Sequence, residues 1–373
     1  MTKRQPSSEA YITFLVTQSC QLRCRYCYLV GKNSFGKMNE KTARQAVDYL
    51  LSDPKLTSKE MVTFDFIGGE PLLEIELINL TMDYILTRIE QKGLPWADNY
   101  RINITTNGLM YSEPSVQDFI RNYKEHLNIS ISIDGNAEKH NMNRIYASGK
   151  GSFDEIIPNV QLWLQQFPKA NTRMTIAHHD LQYVAQSLTY LIELGIKNID
   201  VNPVLEDVWE KGDDVILESQ LKAFADYLID NNLWKECIIS CFDGALGHPL
   251  DPNELTNPCG ADVITIDAKG DLYPCLRFAQ FSLRNKQARS VGNIANGIDW
   301  NKMRPFETIS PSALLANDCI KCPIASGCKH CPAENYDCSA TDSIFDRSTA
   351  ACHMHRAKVN AKEYFFKKVN ENN

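Results

Sequence analysis

The stretch TQSCQLRCRYCYLVG, residues 17–31, places Cys20, Cys24 and Cys27 within eight positions, separated by three and then two residues. Thiols gathered this tightly are metal ligands by type. Three is one short of the set that a structural zinc takes, and the second cysteine pair of a zinc site does not follow nearby. A cluster held by three thiolates leaves one iron without a protein ligand, open to a small molecule. A second run, GGEP at Gly68, Gly69, Glu70 and Pro71, suits a loop that approaches a ligand closely. The glycines remove side chains from the backbone's path and Pro71 fixes the exit. Alone, that run reads equally well as a simple turn.

The chain of 373 residues holds 13 cysteines, three at 20–27, none between 28 and 236, and ten between 237 and 352. That is the layout of two separate metal-binding regions. The N-terminal run YITFLV is too short for a signal-peptide core or a membrane span, and no other run is longer than it needs to be for a buried strand. A cytoplasmic location without membrane contact is therefore expected, where thiols stay reduced and disulfides do not explain the count. The net charge of −7 argues against nucleic acid as a partner. A chain of this length is expected to form about two domains.

These residues must be positioned by regular elements. Apolar, β-rich runs occur at 11–17, 61–67, 100–105, 128–133, 172–177 and 198–204. Between them lie stretches with helical spacing, such as NEKTARQAVDYLLSD and LQYVAQSLTYLIELG. Six strand–helix units in succession predict a parallel sheet, curved or closed, with its chemistry at the strands' C-terminal ends. After about residue 236 cysteines, prolines and turns dominate. DVITIDAKGDLYPC, residues 262–275, predicts a hairpin turning at Lys269–Gly270, and a helix returns at 355–369.

Cx3CxYC directly after the first strand, with aromatic Tyr26 before the third cysteine and GGEP ending the second strand, resembles the radical S-adenosylmethionine (SAM) superfamily. The resemblance implies an α/β fold, a partial (β/α)6 TIM barrel of the radical SAM type over residues 10–235. It makes Cys20, Cys24 and Cys27 ligands of a 4Fe–4S cluster, and Gly68, Gly69, Glu70 and Pro71 the loop for the methionine amino group of SAM. Thr106 and Asn107, in TTNG, are expected to face the active site. Ser132, rather than Ser130 on the same strand face, is expected at the ribose, and Arg144 at the SAM carboxylate. Asp134 is placed at the mouth as a catalytic candidate that meets substrate. VNPV at 201–204 flanks the adenine. His178 or His179 either faces the cavity or is packed in the fold.

The C-terminal cysteines resemble a SPASM domain, the twin-cluster extension of peptide-modifying radical SAM enzymes, over residues 236–373. The family's interleaved pattern assigns Cys319, Cys322, Cys328 and Cys352 to a distal auxiliary cluster. Cys259, Cys275 and Cys331 go to one nearer the active site, with two residues between Cys328 and Cys331 where the family has three. The fourth ligand of the nearer cluster is Cys338, Cys241 or Cys237, or the site is open. Cys237 and Cys241 otherwise read as buried small apolar residues. Three 4Fe–4S clusters and SAM are thus the expected cofactors. A zinc ribbon at Cys319, Cys322, Cys328 and Cys331 is the competing reading of the spacing.

The resemblance points to oxidative modification of a ribosomally made, cysteine-containing precursor peptide, with a flavodoxin or ferredoxin as electron donor. Among such enzymes the chain is most like the CXXX-repeat thioether maturases of the freyrasin type, which belong to the ranthipeptide makers. The expected product is a thioether from a cysteine sulfur to a carbon of a nearby acidic residue, with catalytic candidate Arg277 orienting the substrate carboxylate. An ordinary surface ion pair is the bland alternative for Arg277. The chief rival reaction is anaerobic sulfatase maturation, which forms formylglycine. That family carries a carboxylate base just after the hairpin cysteine, where this chain has Leu276 and Arg277. A non-catalytic iron–sulfur or zinc scaffold is the other rival, opposed by the intact GGEP. The short stretch before Cys20 leaves no room for a winged-helix peptide-recognition domain, so leader binding is expected on the barrel, the C-terminal region or a partner.

Overall fold

The computed structural model describes residues 8–30, 32, 36–206, 208–251, 262–314, 316–328 and 330–371. Six strands follow the predicted runs: β1 (Glu9–Thr17), β2 (Met61–Gly68), β3 (Tyr100–Thr106), β4 (Leu127–Ile131), β5 (Asn171–Ile176) and β6 (Asn198–Pro203). The helices among and after them are α1 (Glu40–Leu50), α2 (Pro54–Thr57), α3 (Ile75–Lys92), α4 (Pro114–Tyr123), α5 (Ala137–Asn143), α6 (Phe153–Gln166), α7 (Val184–Glu193) and α8 (Asp213–Asp230). Their sequences explain their ends. Asn39 caps α1 by accepting from Thr42 N, and Gly93 closes α3 at φ +60°.

β1 to β4 pair in parallel in chain order, as do β5 and β6. The sheet is not closed. Between β4 and β5 regular pairing stops, and one bridge, Ser132 to Arg173, links the two halves. The β1–β2 register slips between Leu15 and Thr17, so β1 leaves the ladder irregularly just before the first cysteine.

The C-terminal stretch adds strands to both halves, which alternation alone did not foretell. β7 (Ile238–Ile239) pairs with β6, and β8 (Val263–Ile266) pairs in parallel with β1. β8 and β9 (Asp271–Tyr273) form the expected hairpin, with Gly270 at φ +81°, and β10 (Gly292–Asn293) and β11 (Gly297–Ile298) extend it. Then come α9 (Trp300–Glu307), α10 (Asn317–Ile320), α11 (Pro332–Cys338) and α12 (Cys352–Glu371). α12 packs along α8, where Tyr364 Oη donates to Asp226 at 2.8 Å, and Phe365 stacks at 4.6 Å on Phe242, in the turn after β7. One apolar core runs from the barrel strands into this region. Among the described residues no helix is long and apolar enough to cross a membrane.

Candidate functional site

A cavity of about 400 Å³ opens at the C-terminal ends of the parallel strands, a volume ordinary for a small-molecule ligand. Cys20, Cys24 and Cys27 line it together with Tyr26, Gly68, Gly69, Glu70, Thr106, Asn107, Ser132 and Arg144. The cysteine loop is pinned from two sides. Arg23 N and Arg25 N donate to the carbonyls of Ile145 and Asn143, while Val30 N donates to that of Phe281 in the C-terminal stretch.

The glycines of GGEP serve contact between neighbouring loops. A Cβ on Gly68 would lie 2.0 Å from the Thr17 carbonyl oxygen, and one on Gly69 would lie 2.3 Å from that of Ser19. Gly69 N and Glu70 N donate to the Thr17 and Ser19 carbonyls at 2.9 and 2.8 Å. Only glycine lets β2 exit against the cysteine loop so closely. Pro71 starts a 3-10 turn (Pro71–Glu74) and is buried outside the cavity wall. Its role is to shape the loop.

Glu70 is 1% exposed and accepts three hydrogen bonds: from Thr106 Oγ1 at 2.7 Å, Asn107 N at 2.7 Å and Leu72 N at 3.1 Å. Burial pushes its carboxyl up, against those donors. It ties the exits of β2 and β3 into one wall. Asn107 Nδ2 reaches Gln21 Oε1 at 3.1 Å and carries the tie to the cysteine loop.

Asp134 departs from its expected place. It is fully buried and not part of the cavity wall. Oδ2 accepts from Tyr26 Oη and from Arg144 Nε at 3.0 Å, and Oδ1 accepts from Thr175 N at 3.0 Å. Burial alone would raise its carboxyl, but Arg144 and Lys139 hold it below the usual range. Asp134 therefore cannot meet a substrate as it stands. It aims Tyr26 and Arg144, which do face the cavity, with the Arg144 guanidinium 5.6 Å from the Tyr26 ring. Ser132 lines the cavity, whereas Ser130 donates to the Asn171 carbonyl at 2.6 Å. Neither histidine lines it: His178 pairs with Asp213 at 2.9 Å and His179 with Asn143 at 2.9 Å.

The far wall comes from two places that the sequence did not connect. The β6 exit supplies Asn202 to Glu206, and the turn after β9 supplies Leu276 and Arg277. Arg277 is not free for a substrate carboxylate. Its Nη2 lies 2.7 Å from Glu206 Oε1 and 3.0 Å from Glu334 Oε2, with the guanidinium 5.2 Å from the Tyr28 ring. Glu206, Tyr28 and Lys32 on this wall went unnoticed in the sequence because no motif marks them.

Among the described residues all cysteines lack disulfide partners. Cys319, Cys322, Cys328 and Cys352 are brought together: burial raises the Cys352 thiol, and the other three add to the rise. The loop carrying Cys328 is tied to the chain after β7, since Ser326 N donates to His248 O at 2.8 Å and Gly247 N to Ser326 O at 3.1 Å. Cys275 and Cys331 also adjoin, at the start of the turn that carries Arg277 and at the N-cap of α11. Cys259 lies outside the described residues. Cys338 is no loop residue: it ends α11, exposed, with Sγ 3.1 Å from Glu334 Oε1. Cys241 is buried in the core and Cys237 packs against it, as small apolar residues do.

Among the described residues no three or more Cys, His, Asp and Glu side chains converge on a point where one metal ion would sit. The surroundings of the C-terminal group fit an anionic centre held by thiolates: a buried arginine, Arg347, donates to the Cys328 sulfur, and among the described residues no carboxylate pairs with it.

Comparison with known proteins agrees with this geometry. Residues 14–191 match the model of the Radical SAM superfamily. An uncharacterized protein of Methanocaldococcus jannaschii is 29% identical over 71% of this chain and 84% of its own length. The antilisterial bacteriocin subtilosin biosynthesis protein AlbA of Bacillus subtilis is 24% identical over 86% of this chain and 66% of its own. A cysteine-type anaerobic sulfatase-maturating enzyme of Clostridium novyi is 24% identical over 89% of this chain and 91% of its own. Native anSMEcpe with bound AdoMet shares the fold, with a TM-score of 0.71 at 20% identity over 97% of this chain and 98% of that one. The same protein has been solved with AdoMet and the Cp18Cys peptide, at a TM-score of 0.70. The stretch that matches, residues 14–191, contains the C-terminal end of β1, all of β2 to β5, the cysteine loop and the GGEP loop.

Proposed function

We propose that this chain is a radical SAM enzyme that modifies a ribosomally made, cysteine-containing peptide, forming a thioether as the freyrasin-type maturases do. One observation carries the reading: the first cysteine loop and the turn after Cys275 face each other across a single cavity. A substrate there lies between the SAM loop and the C-terminal cysteine region, which we read as a SPASM domain over residues 236–373. The relatives whose names state an activity act on peptides or proteins, which supports a peptide substrate. So does the peptide bound to anSMEcpe.

When bound, a cluster on Cys20, Cys24 and Cys27 together with SAM supplies a 5′-deoxyadenosyl radical that takes a hydrogen atom from the peptide. The chain's own residues do the rest of the positioning. Arg144 presents its charge to the SAM carboxylate, held in place by Asp134, and Glu70 keeps the β2 and β3 exits in register around the methionine end. Two carboxylates line the cavity among the described residues, Glu70 and Glu206. Glu70 is engaged by three donors, which leaves Glu206 Oε as the acceptor for the proton of a substrate thiol. Arg277 positions Glu206 and does not clamp the substrate directly. Cys319, Cys322, Cys328 and Cys352 hold a distal 4Fe–4S cluster in this reading, and Cys259, Cys275 and Cys331 a nearer one. A flavodoxin or ferredoxin delivers electrons.

Glu206 also favours a second reading. Formylglycine formation needs a base, and although Leu276 stands where that base is expected, the β6 loop puts a carboxylate on the same wall. One experiment separates the two. Candidate cysteine peptides encoded near the gene are co-expressed with the enzyme and weighed. Thioether formation is expected, seen as the mass of one hydrogen pair lost per cysteine and resistance to alkylation. Hydrazide labelling of an aldehyde would select formylglycine instead.

A further inference from the structure

The cysteine group of the C-terminal region has an unusual neighbour. Arg347 lies in the loop just before α12 and is 9% exposed. Its Nη2 donates to Cys328 Sγ at 2.7 Å, and the charges of Cys319 and Cys352 also bear on it. Its Nε is buried without a hydrogen-bond partner, and among the described residues the charges that bear on it are thiols, with no carboxylate paired to it. Buried guanidinium groups are normally neutralised by an acid, because an unpaired buried charge is costly. Lys358, also buried, lines the same small cavity of about 30 Å³ with Cys328 and Cys352. A protein gains from keeping such cations here only if the thiolates, and what they hold, supply the negative charge.

We infer that Arg347 sets the reduction potential of the group held by Cys319, Cys322, Cys328 and Cys352, by fixing a buried positive charge and an N–H donor on the Cys328 sulfur. The inference rests on the reading above, that these four thiolates carry a 4Fe–4S cluster. Reduction adds one electron to an already anionic centre. A fixed cation 2.7 Å from a ligand sulfur stabilises the reduced form more than the oxidised one, and a hydrogen bond to sulfur acts in the same direction. Removing it makes the cluster harder to reduce. Arg347 is a tuning residue that does not join the wall of the SAM-end cavity.

The full chain, reconstituted anaerobically with iron and sulfide, is titrated with a reductant and followed by EPR. The component that vanishes in Cys328→Ala reports this site. Arg347→Met is expected to keep that component and the iron content while making reduction at least tenfold less favourable, about 59 mV lower for one electron. Arg347→Lys is expected to recover part of the shift, and the other components to stay in place. If Arg347→Met loses the cluster or fails to fold, Arg347→Gln, which keeps donors and removes the charge, is read instead. An unmoved potential in the neutral variant with the cluster intact overturns the inference. If Cys328→Ala removes no component, the cluster reading itself fails and the inference falls with it.

Discussion

The two cysteine regions of this molecule are built on opposite plans. At the exit of β1, three thiols share the wall of a cavity of about 400 Å³ with glycines, hydroxyls and amides. In the C-terminal region Cys328 and Cys352, two of the four grouped thiols, line a cavity of about 30 Å³, room for roughly one water, with the buried cations Arg347 and Lys358. The first arrangement admits a ligand of drug-like size; the second leaves no such room. The difference teaches what each region is for. A roomy wall with one ligand short suits exchange with a small molecule, and a small site with a guanidinium on its sulfur suits holding charge.

The sharpest way to break that comparison is to delete one cysteine from each region. Cys24→Ala is expected to remove about a third of the iron in fully reconstituted protein and to abolish SAM cleavage. Cys328→Ala is expected to remove a similar share while 5′-deoxyadenosine still forms. Iron analysis and chromatography of the nucleoside check both. Survival of SAM cleavage in Cys24→Ala, or its complete loss in Cys328→Ala, would erase the functional distinction between the regions.

The first region was the more legible in sequence, for a physical reason. Cys20, Cys24 and Cys27 lie on one short loop, and Gly68 and Gly69 are dictated by backbone so close that an added Cβ would lie 2.0 or 2.3 Å from a carbonyl oxygen. Local spacing therefore carries the information. The strands were legible too, since each is a buried apolar run followed by a helix. What escaped depends on distant pairing. β8 lies beside β1 across some 250 positions of chain, Arg347 meets Cys328 across α11 and the loop after it, and Glu206 meets Arg277 from another strand's exit. Asp134 escaped in the opposite sense. Its place after β4 was read correctly, but three donors from separate elements turn its side chain away from the cavity.

Glu206 sits where the two plans meet, on the open cavity yet bonded to the arginine that follows Cys275. Glu206→Gln keeps the shape and a partner for Arg277 but cannot take a proton. With a peptide that the wild type modifies, product per 5′-deoxyadenosine is expected to fall on the order of 10²-fold, while 5′-deoxyadenosine formation and peptide affinity stay near wild type. Unchanged coupling would remove Glu206 from proton transfer and leave it a structural partner of Arg277.

The smallest effect is expected at Cys338, the residue that decides whether the nearer auxiliary site is closed by the chain. It lies seven residues after Cys331 along α11, a rise of about 10 Å at the helical 1.5 Å per residue, and it is exposed. Its sulfur already faces Glu334 Oε1 at 3.1 Å, and Glu334 in turn holds Arg277. A helix that long between two residues does not bend to bring both onto one cluster, so Cys338 is expected to serve the Glu334–Arg277 contact and not the iron. Cys338→Ala should then leave iron content and the Mössbauer spectrum unchanged and alter thermal stability by less than about 1 kcal/mol, as expected for an exposed position. Loss of one cluster's iron in this variant would mean that α11 unwinds to deliver Cys338. The nearer site would then be closed by the chain like the distal one, and a group left one ligand short would remain only at the β1 exit.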